Sequence, residues 1–125
     1  MSRKLDAKIA EGLGYEVSYA KTHKNGELVN VFTMPNIEKG EYRSGCPLYS
    51  SDGNAMLELI GEMVKRDWSI DVMHLPCDNA YEVSFHTKDE WGNYSVMEEA
   101  VALTLPLAVA LAAYKALTGK EWSGE

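Results

Sequence analysis

The sequence predicts an α+β fold, a single-domain α/β sandwich in the order α-β-β-α-β-β-α, with helices packed on one four-stranded, mostly antiparallel sheet. Three observations carry this expectation. Apolar residues recur at helical spacing in three segments. Between them lie four runs rich in Val, Tyr, Phe and Ile: "YEVSYAK", "LVNVFTM", "SIDVMHL" and "AYEVSFHT". These runs fall into two pairs, each joined by turn residues, so both pairs read as hairpins.

In the first element, Ser2 is placed to cap a helix on which Leu5, Ile9 and Leu13 share one face. Gly14 sits where a chain leaving that helix needs a left-handed residue. Strands at 15–21 and 28–34 flank Asn25-Gly26, a strong hairpin signal. Residues 35–50, "PNIEKGEYRSGCPLYS", carry prolines and glycines and read as a long irregular segment, often functional when it sits inside a compact domain.

A second helix begins after Ser51 or Asp52 as cap and runs to about Arg66. Met56, Leu57, Leu59, Ile60, Met63 and Val64 share its apolar arc, against Glu58, Glu62 and Lys65. Trp68 closes it. Strands at 69–75 and 80–87 follow, turned by Pro76, Asp78 and Asn79, and "KDEWGNY" reads as a loop.

The last helix has two readings. Ser95 and Glu98 match a capping box, which would start it at Val96 with a kink at Pro106. The preferred start is Thr104 as N-cap, with Pro106 in the first turn where proline is tolerated. Either way it ends at Gly119. From Leu105 to Ala113 it has no polar side chain, so both of its sides should be covered. The cover is either the sheet and the first helix, or a second subunit approaching over Ala108, Ala110, Ala112 and Ala113.

With 125 residues the chain can bury a core of its own. The net charge of −7 argues against nucleic acid as a partner, which would call for clustered Lys and Arg, and suits a basic protein partner. The apolar run "VALTLPLAVALAAY" is shorter than a membrane span requires. The N-terminus lacks the apolar core of a signal peptide, and the two cysteines are too few for a disulfide scaffold. The expectation is a cytoplasmic protein with reduced thiols.

Signals for chemistry are sparse. His74 and Cys77, with Cys46 and His86 from elsewhere, form a weak zinc pattern that lacks C-x-x-C or H-x-x-x-H. No nucleophile elbow and no phosphate-binding loop is present. Asp89-Glu90 and Glu98-Glu99 read as solvated charges. The sequence therefore predicts no catalytic residue, no cofactor and no metal.

Two binding modes remain. In the first, Lys39, Arg43, Tyr49 and Ser51 line a pocket for a small anionic, nucleotide-like ligand. Arg43 would offer its fork of donors and Tyr49 a stacking face. Against this, Asp52 is expected to occupy the amides of its own helix N-terminus. In the second, Trp91 and Tyr94 are anchors for a protein partner.

The segments "LDAKIAEGLG", "PLYSSDGNAMLELIGEMVKRDW", "YEVSF" and "LPLAVALAAYKAL" together resemble the phage ABA sandwich domain family of small bacteriophage and prophage proteins. The resemblance spans Leu5 to Leu117. It implies the same sandwich of helices on a sheet, and it implies no reaction, cofactor or functional residue. By analogy it suggests a counter-defence protein in the bacterial host cytoplasm. Such a protein would act as a homo-oligomer that sequesters a small host signal, or as an acidic adaptor or inhibitor on a host protein.

Overall fold

The computed structural model describes residues 3–15, 17–24, 27–36, 41–43, 47–88 and 90–123. For 3, 18–24, 27–36, 41–43, 94 and 95 it describes the backbone alone. The fold is α+β, with three helices and six strands among these residues. They run α1 (Arg3–Gly12), β1 (Ser18–Lys24), β2 (Glu27–Asn36), β3 (Glu41–Arg43), α2 (Gly53–Lys65), β4 (Ser69–Leu75), β5 (Ala80–Lys88), β6 (Tyr94–Ala102) and α3 (Leu105–Thr118).

The expected single four-stranded sheet is replaced by two three-stranded antiparallel sheets, ordered β1-β2-β3 and β4-β5-β6. Each expected hairpin gains a third strand. β3 arises inside the segment read as irregular, pairing Met34 with Arg43 and Asn36 with Glu41. β6 begins at the end of the expected loop "KDEWGNY" and runs through the stretch whose alternative reading was a capping box. Ser95 and Glu98 lie in this strand, and Glu98 stands opposite Phe85. In the first sheet, Lys24 pairs with Glu27. The expected turn at Asn25-Gly26 lies outside the described residues.

The helices end as their sequences dictate. Gly14 is left-handed at φ 96°, and the N–H of Tyr15 returns to Ala10 O at 3.0 Å, closing α1 in a Schellman motif. Asp52 caps α2 by accepting from Ala55 N at 3.0 Å. Thr104 caps α3 by accepting from Leu107 N, with Pro106 in the first turn, and Gly119 leaves the helix at φ 73°. The preferred start of the last helix is thus the observed one. Ser2 lies outside the described residues.

The core sits between β4-β5-β6 and the helices. α3 packs on β5 and β6 and also meets α1 and α2, while α2 reaches β4. Leu5 and Ile9 of α1, Leu59 and Met63 of α2, Val83 and Phe85 of β5 and Val109 of α3 are fully buried. Each such side chain contributes about 2 kcal/mol of transfer free energy. Of the apolar arc expected on α2, Leu59 and Met63 are buried and Met56 and Ile60 pack beside them, whereas Leu57 and Val64 are exposed. The apolar stretch of α3 is covered within the chain, by α1 and α2 as well as by the sheet.

Two polar contacts tie the helical layer together. Asp6 on α1 is fully buried and accepts from Ser50 N at 2.9 Å, fixing the turn that leads into α2. Arg66 at the end of α2 donates to Leu13 O at 2.6 Å, satisfying a carbonyl at the end of α1.

Candidate functional site

Strand alternation and register divide the side chains of β4-β5-β6 into two faces. Ile70, Val83, Phe85, Ala100 and Ala102 point to the helices and join the core. The opposite face is built of three cross-strand rows: Ser69, His86, Met97; Asp71, Ser84, Glu99; and Met73, Glu82, Val101. Met73, Met97 and Val101 are exposed there, although their type would normally be inside. These nine positions hold three carboxylates and no Lys or Arg.

His86 is the one basic group in the rows. It is buried, with Nδ1 3.5 Å from Oδ2 of Asp71. The Asp71 side chain is 69% exposed, so water screens the pair and leaves the face negative. The hairpin of β5 and β6 ends in a turn that carries Trp91, 79% exposed. Chemically the face offers flexible thioethers, which adapt to varied apolar shapes, and carboxylates for cationic groups.

The residues expected to line a ligand pocket are not brought together on a described surface. Tyr49 is 3% exposed and belongs to the core, so its ring offers no stacking face to a ligand. Ser51 is half-buried in the turn before α2, its N–H donating to Leu48 O at 3.1 Å. Asp52 holds the helix N-terminus, as its position before α2 implied. Arg43 is a strand residue of β3, and its side chain lies outside the description. Lys39 lies outside the described residues.

Of the expected protein-binding anchors, Trp91 is exposed at the hairpin turn. Tyr94 opens β6 opposite Lys88, with its side chain outside the description. Trp122 folds back edge-on against Tyr114, ring centres 5.2 Å apart. Among the described residues, the members of the weak zinc pattern stand apart. His74 lies beside the Tyr81 ring at 5.1 Å, Cys77 is exposed in the turn after β4, and His86 faces Asp71. Cys46 lies outside the described residues. Among the described residues no group of three His, Cys, Asp or Glu could hold a metal ion, and no helix is long and apolar enough to cross a membrane.

Met97, Glu99, Val101 and Glu82 went unread as site residues. Residues 96–102, "VMEEAVA", show no apolar/polar alternation that would signal a strand, so these side chains align only through the register with β5. No family model matches this chain, and neither a curated protein nor a solved structure matches it. What the fold and this surface define is a small α+β protein that exposes an acidic, methionine-bearing sheet face.

Proposed function

We propose that this protein acts by binding, without turnover, and that it holds a basic amphipathic segment of a partner protein against the outer face of β4-β5-β6. One observation carries the reading: Met73, Met97 and Val101 are exposed among Asp71, Glu82 and Glu99 with no Lys or Arg in the rows. Cationic side chains of the partner would meet the carboxylates, and its apolar side chains would cover the methionines. Trp91 extends the contact at one end, as exposed aromatics do at interfaces. Sequestration of a nucleotide-like ligand is the weaker reading, since Tyr49 is inside the core. A bacterial host cytoplasm as the setting, and counter-defence as the purpose, rest on the resemblance to small phage proteins alone.

The test is calorimetric titration with a designed Lys/Leu amphipathic peptide and its Glu/Leu counterpart. The basic peptide should bind, and added salt should weaken it. The acidic peptide should not bind. The double variant Glu82→Lys, Glu99→Lys should reduce affinity at least tenfold, and Trp91→Ala should reduce it by a smaller factor. Equal binding of both peptides, or none of either, defeats the reading. A stoichiometric nucleotide released on denaturation would restore the pocket.

A further inference from the structure

The two edges of the sheet β4-β5-β6 are treated differently. At the β6 edge, Lys115 reaches across from α3 and donates to Glu99 O at 2.9 Å. The register between β5 and β6 also shifts at Thr87/Lys88. A lysine on the edge and an irregular ladder are the usual guards against edge-to-edge pairing.

β4 has no such guard. Its seven residues, "SIDVMHL", contain no Lys, Arg, Pro or Gly and pair with β5 in unbroken register from Ser69 to Leu75. Val72 is 51% and Met73 59% exposed. Among the described residues nothing hydrogen-bonds to its backbone from the side away from β5. Asp71 is its one carboxylate, and a regular edge of this length that carries Ile70, Val72, Met73 and Leu75 is a template for another strand.

We infer that β4 pairs with β4 of a second copy, antiparallel about a two-fold axis at Val72, to make one continuous six-stranded sheet. The register follows from symmetry. Faces stay continuous only if paired residues have the same parity, and the midpoint of Ser69–Leu75 is Val72. Val72 then meets Val72 of the second copy, Ile70 meets His74, Asp71 meets Met73 and Ser69 meets Leu75. No two charged residues stand directly opposite. The Asp71 carboxylates are only diagonal neighbours, each beside its own His86. A register centred on Asp71 would oppose the two carboxylates and leave both His74 and Leu75 without a partner in the strand. The occupant is a copy of this chain because the two-fold pairing consumes the open edge of both partners and closes the assembly. This dimer stands independently of the binding reading above, and it would double the acidic face on one surface.

The experiment is sedimentation equilibrium of the full chain from micromolar to millimolar concentration, with two variants. The wild type should shift from the mass of one chain to that of two. Added salt should favour the dimer, because each copy carries a net charge of −7. Val72→Lys sets two ammonium groups opposite one another and should raise the dissociation constant at least tenfold. Met73→Lys places its ammonium opposite Asp71 of the second copy and should leave the dimer intact. Both positions are more than half exposed, and circular dichroism of dilute samples checks that each variant folds. A single-chain mass at every concentration overturns the proposal. So does a dimer that survives Val72→Lys, or one that Met73→Lys disrupts as fully.

Discussion

Glu62 shows how one side chain can hold two helices through a neighbour. Its carboxylate accepts from Arg66 Nη1 at 3.0 Å and from Lys65 Nζ at 3.2 Å. The same Arg66 donates from Nη2 to Leu13 O at the end of α1. Hydrogen bonding from Arg66, then from Lys65, holds the Glu62 carboxyl below its ordinary value of 4.5, against the opposing cost of partial burial. The linkage sign follows. A depressed folded-state pKa contributes stability that is complete above 4.5 and is lost as pH falls through the folded value. Glu62→Gln should therefore cost about 1 kcal/mol at neutral pH, and the cost should vanish in acid well below 4.5. Urea unfolding of both proteins at the two pH values measures it. A penalty that persists unchanged in acid would place the effect in packing instead of charge.

At the scale of elements, α2 ends with a compromise that α1 and α3 avoid. Trp68 N returns to Met63 O and Asp67 N to Val64 O, a Schellman motif with Asp67 in the left-handed position at φ 67°. The other two helices place Gly14 and Gly119 at that point. Asp67→Gly should relieve the Cβ conflict and raise stability by up to about 1 kcal/mol, visible as a higher melting temperature. A lower melting temperature would mean that the aspartate makes a compensating contact. The same comparison explains what the sequence makes legible. Gly14, Gly119, Asp52 and Thr104 act through their own backbone neighbourhoods, so local chemistry announces them. β6 was hidden because its decision is not local. Glu98, Glu99, Ala100 and Ala102 favour helix on their own, and the strand exists because Ala100 and Ala102 can lie beside Val83 and Tyr81. The outer-face site shared that fate, since Met97, Glu99 and Val101 align only once β6 is a strand. Tyr49 was misread for a similar reason: its loop position suggested a ligand surface, while Asp6 draws the adjacent Ser50 inward by a bond spanning 44 residues.

For the whole molecule, the question is why α3 has almost no polar face. Ala108, Val109, Ala110, Ala112 and Ala113 are all fully buried, and at helical spacing they cover an arc of about 200°. One sheet cannot bury so wide an arc. Here β5 and β6 take one side, while α1 and α2 take the other. Alanine is the residue that lets both layers approach a central helix, and the close fit shows at Gly12, where an added Cβ would stand 3.2 Å from Leu117 Cβ. The two explanations open at the level of sequence, internal cover and a subunit interface, differ in a measurable way. Ala110→Leu forces extra volume between fixed layers and should destabilise the protein by about 1–3 kcal/mol. Because the cover belongs to the same chain, that loss should be the same in dilute and concentrated samples, and the mass of the native species should not change. Were α3 an interface, the substitution would instead change the mass and spare the unfolding midpoint of the dilute monomer. The helical spine of the fold and the β4 edge proposed to pair two copies are thus separate parts of the molecule. Substitutions at Ala110 and Val72 should act independently, their effects on stability and on association adding when combined.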